Sequence, residues 1–190
     1  MKQKEILLFG ATGQIGRNLI RKLSKNNYKI TAVTRNIHRA GYILKTQANP
    51  GYLRLVELKN FKPDKIDELI QNCSICINLI GILYERNKDH FKIIHTDLPD
   101  MLSKKAEYFK IEKFIHLSAL GIENASESKY ALSKLQGENK IKKNFNNYII
   151  LRPSIVYSVD DNFTTNFMSL MSKLPVIPLY YGGSTKFTPI

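Results

Sequence analysis

The chain has 190 residues, of which 43% are hydrophobic, a content too high for a wholly disordered protein. Its length fits one domain with a substantial buried core, and no apolar stretch reaches the roughly 18 residues that cross a bilayer. The formal net charge is +13, but the lysines are scattered without the interleaved aromatic residues of a protein that binds single-stranded nucleic acid. We therefore expect no nucleic-acid partner. Anionic ligands or an anionic membrane surface are the partners that the charge favours.

Short apolar runs alternate along the chain with segments of helical period or polar turn character. This alternation predicts a Rossmann-type α/β fold, a doubly wound parallel sheet with helices on both faces. Pro99 interrupts a predicted helix over residues 88–109, so a kink or restart is expected there. After Arg152 the alternation of strands and helices changes to a different pattern. This predicts a first domain over residues 1–152 and the start of a smaller lobe over residues 153–190. The predicted strands lie at residues 5–9, 29–34, 52–58, 74–80, 113–118 and 148–152.

The first predicted strand runs directly into three regularly spaced glycines, Gly10, Gly13 and Gly16. In a dinucleotide-binding turn, the first permits the tight turn, the second lets the backbone approach the pyrophosphate, and the third lets the helix pack on the strand. The helix N-terminus then faces the phosphates with its positive dipole end. This pattern predicts nicotinamide dinucleotide binding; the alternative is a structural glycine turn. The candidate contacts here are Gly10, Thr12, Gly13, Gln14, Ile15 and Gly16.

The second predicted strand ends at Thr34, where an acidic residue would accept from the ribose hydroxyls and repel a 2′-phosphate. Arg35 and Asn36 follow instead. The planar guanidinium of Arg35 matches phosphate geometry, Thr34 and Asn36 can add hydrogen bonds, and Arg39 lies nearby. NADP(H) is therefore expected in preference to NAD(H). The alternative is that Arg35 is an ordinary surface arginine.

The only cysteines of the chain, Cys73 and Cys76, lie in the segment Cys73–Ile80, which is predicted to be a buried strand. Residues three apart on a strand face opposite sides, and neither a second cysteine pair nor a histidine at metal-ligand spacing accompanies them. We therefore expect buried structural thiols and no metal. Leu79 and Gly81 come at the carboxyl end of this strand and are candidate nucleotide contacts.

Tyr130 and Lys134 are four residues apart in a predicted helix, so the phenol and the ammonium share one face. A neighbouring ammonium lowers the pKa of a phenol and can bind the nicotinamide ribose, while the tyrosine exchanges a proton with the substrate. Ser118 ends the strand before this helix, and Ser126 or Ser128 can cap the helix. Tyr130, Lys134 and Ser118 are the candidate catalytic residues, the first two also as cofactor contacts.

Several segments carry a family resemblance: Gly10–Gly16, Ile115–Gly121, Ser128–Lys134, Leu151–Tyr157 and the tail over Leu174–Ile190. Together they resemble the atypical and extended short-chain dehydrogenase/reductases, especially those related to the NADPH-binding accessory subunit of respiratory complex I. The resemblance covers the whole chain. It implies a Rossmann-type fold, tightly held NADPH with Pro153 among its contacts, and a structural or assembly role at the membrane-facing junction of complex I. Related members are linked to ubiquinone synthesis, and bacterial ones are commonly described as NAD-dependent epimerase/dehydratases.

The chain departs from the active members of this family around the substrate. Ala119 stands where they hold the substrate with serine or threonine, and Ser118 lies one place earlier, on the opposite face of the strand. The segment from Ser118 to Tyr130 is short for a sugar-nucleotide epimerase. Because the family continues well past Ile190, the resemblance also implies that the C-terminal substrate lobe is incomplete.

Three function classes remain. The first is a nucleotide-binding accessory or assembly protein, favoured by Ala119 and the tail. The second is an NADP-dependent reductase, epimerase or dehydratase, and the third is a redox-sensing regulator; the Tyr130–Lys134 pair favours the second over the third. The first strand begins close to Met1, so we expect no signal peptide and a cytoplasmic protein, peripheral on the inner face of the inner membrane if it joins complex I.

Overall fold

The structure is a computed structural model that describes residues 5–158, 161–174, 180–184, 186 and 188–190. Within these residues six strands form one sheet in the order β3-β2-β1-β4-β5-β6, and all neighbouring strands are parallel. This is the doubly wound Rossmann arrangement, so the expected fold class is confirmed. The strands are β1 (Glu5–Phe9), β2 (Lys29–Thr34), β3 (Leu53–Glu57), β4 (Ile75–Asn78), β5 (Lys113–Leu117) and β6 (Tyr148–Leu151).

Helices connect the strands and also follow the last one. The α-helices are α1 (Gln14–Lys25), α2 (Ile37–Leu44), α3 (Pro63–Ile70), α4 (Leu98–Tyr108), α5 (Lys129–Asn144) and α6 (Asn162–Lys173). Short 3₁₀ turns cover Lys45–Gln47, Ile122–Asn124 and Tyr180–Gly183. In the part of the chain that the structure describes, no helix has the length and apolar character needed to span a membrane.

The sheet separates two hydrophobic cores, because successive side chains of a strand point to opposite faces. On one face, Leu7 and Phe9 of β1 pack with apolar residues of α3, α4 and α5. On the other face, Ile6 and Leu8 pack with α1 and α2. The central strand is therefore covered on both sides, as parallel sheets require.

The strand order reverses between β1 and β4, which lie side by side in the middle of the sheet. In open parallel sheets, ligands bind in the crevice beyond the carboxyl ends of the strands at such a switch point. Gly10 follows β1 there, and Leu79 follows β4, its N–H donating to the Phe9 carbonyl at 3.0 Å. The predicted glycine turn thus lies at the switch point.

The expected interruption at Pro99 takes the form of a π-helix, Lys92–Asp97, that runs directly into α4. Pro99 has no N–H to donate to the carbonyl of His95, four residues earlier. Just before it, the Leu98 N–H donates to the carbonyl of Ile93, five residues earlier, which is the π-helical spacing. The widened turn accommodates the proline without ending the helical run.

The chain divides into two compact units, Met1–Leu151 and Arg152–Ile190. In the second unit, a side-chain oxygen of Asp161 caps α6 by accepting from the Thr164 N–H at 2.6 Å. The backbone of Ile190 bonds to Ile155 and Tyr157, at 3.0 and 3.1 Å. This unit covers the segment expected to begin the smaller lobe; residues 175–179, 185 and 187 of its tail lie outside the described residues.

Candidate functional site

The glycine turn after β1 is tightly packed against the start of α1. Gly10 has a φ of 81°, in the left-handed region that other residues rarely adopt. A Cβ on Gly16 would lie 2.5 Å from the carbonyl oxygen of Gly10 and 2.7 Å from that of Ala11. Gly13 is the N-cap of α1, so the positive end of this helix begins at the crevice. The other predicted contacts here are Thr12, Gln14 and Ile15.

Gly16→Ala is expected to lower the free energy of unfolding by about 1–3 kcal/mol, because the new methyl group meets two backbone carbonyls that cannot move aside. Gly41→Ala is the matched control in α2. A Cβ there meets only Leu55 Cδ1, at 4.0 Å, so alanine should be neutral or stabilise by roughly 0.5–1 kcal/mol. Urea unfolding of both variants and the wild type measures the difference. Equal stability of Gly16→Ala and the wild type would contradict the close packing.

A cavity of about 610 Å³ lies beyond the end of β2 and beside the glycine turn. Three arginines line it from three elements: Arg17 from α1, Arg35 from the loop after β2, and Arg39 from α2. The sequence singled out Arg35 and indicated Arg39 as nearby. It gave no signal for Arg17 beyond its place directly after Gly16. The other lining residues are Thr12, Thr34, Asn36, Ala40 and Ile43.

The polar neighbours of Arg35 hold the start of α2 in place. The side-chain oxygen of Asn36 caps α2 by accepting from the Arg39 N–H at 2.9 Å. The Thr34 hydroxyl accepts from the Asn36 N–H at 3.3 Å. These bonds order the loop that carries Arg35, while both Arg35 and Arg39 remain exposed. The positive charges of the cavity are therefore carried by a loop and a helix start that hydrogen bonds hold in place.

Lys134 is buried, with 4% of its surface exposed, although its side chain is cationic. Its Nζ donates to the Leu117 carbonyl at 3.0 Å, and a Cβ on Gly81 would lie 3.3 Å from that Nζ. The structure thus brings together the predicted contacts Gly81 and Lys134. Burial lowers the pKa of Lys134 to about 8, while Glu138, one turn later, raises it. The ammonium form therefore prevails at neutral pH.

Tyr130 lies one turn before Lys134 on α5, and Ser128 caps this helix by accepting from the Ala131 N–H at 3.3 Å. Burial raises the pKa of Tyr130 above its ordinary value. The lowering expected from Lys134 is not found, since burial is the cause that acts on the pKa of this phenol. The phenol is therefore protonated at neutral pH, the form that can give a proton to a substrate.

Ser118 directly follows β5, and its hydroxyl is buried. Neither this Oγ nor Nε2 of His116, two residues earlier on the same face, has a hydrogen-bond partner among the residues that the structure describes. Burial, and after it the charge of Lys134, lowers the pKa of His116 to about 3, so His116 is neutral. Buried polar atoms in proteins are normally paired, so these two are available to a bound group or a water molecule.

Two further buried polar residues, Asn78 and His95, were not predicted from the sequence to belong to the site. Asn78 Nδ2 lies 3.3 Å from His116 Nδ1, and its Oδ1 accepts from the Ile80 N–H at 3.1 Å. His95 Nδ1 lies 2.9 Å from Ser133 Oγ. The sequence offers only a weak signal for them, since polar residues within apolar strands and helices are ordinarily hydrogen-bonded core residues.

Pro153 was also predicted to contact the nucleotide. It belongs to the second unit, whereas the glycine turn, the arginine cavity and the Tyr130–Lys134 pair belong to the first. Its contact with a nucleotide therefore stays a prediction.

The two cysteines are not arranged as the strand pattern predicted. Cys73 precedes β4 rather than lying in it, so both thiols pack against the same core instead of facing opposite sides. Both are free, and burial raises the pKa of Cys73 to about 12 and that of Cys76 well above its ordinary value. Such thiols stay protonated and unreactive. Across the described ranges, no cluster of three or more His, Cys, Asp or Glu residues could hold a metal ion.

Two known proteins illustrate the similarity in sequence. NADH dehydrogenase (ubiquinone) 1 alpha subcomplex subunit 9 of Mus musculus, a mitochondrial protein, is 28% identical over 183 residues, covering 96% of this chain and 48% of the mouse protein. A ceramide reductase of Caulobacter vibrioides is 26% identical over 176 residues, covering 92% of this chain and 53% of that enzyme. The chain thus spans about half the length of these relatives.

Solved structures share the fold. A protein of Bacillus halodurans described as an NAD-dependent epimerase/dehydratase superposes with a TM-score of 0.69 at 18% identity, covering 84% of this chain and 74% of that one. A family model described as NAD(P)H-binding matches residues 10–173, from the first glycine of the turn to the end of α6. With the glycine turn at the switch point of a Rossmann-type sheet, the chain belongs to this NAD(P)H-binding family.

Proposed function

We propose that the chain binds NADP(H) and acts as an accessory, assembly or stability factor of a respiratory NADH:quinone oxidoreductase, or in a linked ubiquinone pathway. The observation that carries this proposal is the similarity to the mouse complex I subunit along 96% of the chain. The net charge of +13 supports contact with an anionic membrane surface, since such contacts need only diffuse positive charge. The proposal places the protein in the cytoplasm, peripheral on the inner face of the inner membrane.

The preference for NADP(H) over NAD(H) rests on the arginine cavity. Arg17, Arg35 and Arg39 line it, and no acidic residue is among its lining residues in the described part of the chain. Guanidinium groups bind phosphate in a planar, bidentate geometry and stay charged at every physiological pH. A 2′-phosphate placed here would be neutralised from three elements of the fold. NAD(H) lacks that group, so it would gain no charge-assisted hydrogen bond from the guanidinium groups that line this cavity.

Native isolation tests the accessory role. The tagged chain would be expressed in its own cells, the membranes solubilised gently, and the complexes separated on a native gel and identified by mass spectrometry. We expect co-migration with the NADH:quinone oxidoreductase. Arg35→Asp should reduce co-migration if bound NADPH stabilises the protein, whereas Arg21→Asp, with the same change in charge outside the cavity, should not. Migration of the wild type as a free species would contradict the accessory role.

A second candidate is an NADP-dependent reductase, epimerase or dehydratase. It is favoured by the arrangement of Tyr130 and Lys134 on α5 and by the similarity to a ceramide reductase. When bound, the nicotinamide would supply or accept the hydride. Tyr130 would then exchange a proton with the substrate oxygen, Lys134 would hold the ribose, and the buried hydroxyl of Ser118 would hold the substrate.

Tyr130→Phe separates the two candidates, because it removes the phenol hydroxyl while keeping the aromatic ring. If the chain is an enzyme, its hydride-transfer rate with NADPH should fall by about 100-fold or more, the usual contribution of a positioned general acid. Tyr108→Phe is the control, since Tyr108 is 77% exposed on α4. Steady-state kinetics at saturating NADPH measures the rate. Undiminished activity in Tyr130→Phe would contradict the proton-donor role.

A further inference from the structure

His95 is held by a hydrogen bond on each side of its ring. The Ile82 N–H donates to Nε2 at 3.0 Å, so this nitrogen carries the lone pair. The proton is therefore on Nδ1, which donates to Ser133 Oγ at 2.9 Å. Burial is the main cause of a pKa lowered to about 3, so the ring is neutral and this single tautomer persists at physiological pH. His95 thus connects the loop after β4 to α5.

The connection continues to the backbone of Tyr130. The Ser133 hydroxyl donates to the Tyr130 carbonyl at 2.8 Å, so the bonds run in one direction from Ile82 through His95 and Ser133. Thr96, the next residue of the π-helix, makes a second bond to α5, because its Oγ1 donates to the Ser133 carbonyl at 2.9 Å. The first turn of α5, which carries Tyr130, is therefore attached to the π-helix at two points.

The ring of His95 also touches the ring of Tyr130. The two ring centroids are 5.3 Å apart and the planes are at 90°, an edge-to-face contact. His95 also stacks on Phe91, with the ring centroids 5.3 Å apart and the planes at 19°. Phe91 itself meets the Tyr130 ring edge-on at 5.9 Å. The three rings leave the Tyr130 side chain a defined position.

The backbone around His95 is equally restricted. Gly137 of α5 packs directly on the His95 carbonyl, where an added Cβ would collide with the oxygen. Pro99, four residues after His95, has no N–H to donate to that carbonyl. The π-helix, the proline and the glycine therefore fix where His95 stands, and through it where Tyr130 stands.

We infer that His95 is a positioning residue for Tyr130: it fixes the position of the phenol by a hydrogen-bonded bridge through Ser133 and by contact between the rings. The inference rests on the proposed function, in which the nicotinamide binds next to this phenol. It adds a residue on a separate helix to the pair on α5. A side chain is held in one position when both packing and hydrogen bonds restrict it, and His95 provides both for Tyr130.

NMR of protein labelled with ¹³C at the tyrosine ζ carbon tests the inference. The chain has 10 tyrosines, and the signal missing in Tyr130→Phe identifies Tyr130. In the wild type we expect one sharp Tyr130 signal that shifts when NADPH is added. In His95→Ala the signal should broaden or split, and its NADPH-induced shift should fall by about half or more, because the phenol no longer has one position. NADPH affinity should change by less than about threefold.

Two further variants separate positioning from a general loss of structure. His95→Gln keeps an acceptor for Ile82 and a donor for Ser133, so it should restore a single Tyr130 signal. Ser133→Ala leaves all three rings in place and breaks only the bridge, so any change in its Tyr130 signal cannot come from a lost ring. We expect that signal to broaden as in His95→Ala, and this result also decides the matter if His95→Ala does not fold.

The outcomes distinguish this inference from the proposed function. If NADPH leaves the Tyr130 signal of the wild type unchanged, the proposed place of the nicotinamide is wrong, but the line shapes before addition of NADPH still test His95. If His95→Ala and Ser133→Ala both keep one sharp Tyr130 signal with the wild-type response, the positioning role of His95 is overturned.

Discussion

Arg35→Asp should weaken NADPH binding by about 100-fold and change NADH binding by less than about threefold. A charge-assisted hydrogen bond contributes about 1.5–3 kcal/mol, and the new carboxylate adds repulsion toward the 2′-phosphate. NADH has no phosphate there and meets neither effect. Because the chain contains no tryptophan, the fluorescence of the bound reduced nicotinamide measures both affinities without interference from that residue.

The design of this experiment depends on the other arginines. Arg17→Ala and Arg39→Ala should each weaken NADPH binding by about tenfold, because each removes one of three guanidinium groups and leaves two. Arg21→Asp is the control: its change in charge is that of Arg35→Asp, but its Nε bonds to Gln47 Oε1 at 3.0 Å, outside the cavity. Arg21→Asp therefore shows how far NADPH affinity falls when the protein loses the same positive charge at a distance from the cavity. Equal losses of NADPH and NADH affinity in Arg35→Asp would remove the 2′-phosphate assignment.

The strands and the glycine turn could be predicted from the sequence because their signals are local. An apolar run followed by Gly10, Gly13 and Gly16 specifies a strand, a turn and a helix within about a dozen residues. The two close contacts that a Cβ on Gly16 would make occur with residues five and six positions away. Gly16 is therefore explained within its own turn, whereas a Cβ on Gly10 would also lie 2.9 Å from the backbone of Leu79, a contact that the local pattern does not reveal.

His95 and Arg17 could not be predicted in the same way, because their roles depend on contacts between separate elements. The bridge from His95 needs Ser133, 38 positions later in the chain, and the loop at Ile82. Arg17 lines a cavity whose other side is formed by α2. A histidine in an apolar helix looks like an ordinary core residue until its two partners are known. The prediction for Cys73 failed for a simpler reason, since the strand that was expected to contain it begins at Ile75.

Lys134 presents the sharpest electrostatic problem of the site, since it is a cation that is 4% exposed. Its Nζ donates to the Leu117 carbonyl, and Glu138 is the group that raises the pKa of Lys134 against the effect of burial. Glu138 is itself fully buried, one turn further along α5, with Lys142 at 3.7 Å. His95 and His116 also lie within range of Lys134, but both are neutral. Glu138 is therefore the charge that keeps Lys134 protonated.

Glu138→Gln should consequently shift the pH dependence of NADPH affinity to lower pH. A group whose pKa is lowered by folding is protonated below its folded-state pKa and loses the proton as pH rises through it, so wild-type affinity should fall as pH rises through about 8. Without the Glu138 charge, which raises the pKa of Lys134, the fall should begin at a lower pH than in the wild type. Affinities would be measured between about pH 6.5 and 9.5, mostly above the titration of a phosphate monoester near pH 6.

Two matched variants complete this test. Glu107→Gln makes the same chemical change at an exposed position of α4 and should leave the wild-type profile unchanged. Lys134→Met removes the titrating ammonium and should give weak binding with no fall near pH 8. If Glu138→Gln follows the wild-type profile while Lys134→Met is flat, Lys134 is the titrating group but Glu138 does not tune it. If Lys134→Met keeps the wild-type fall, the ammonium is not what holds the nucleotide.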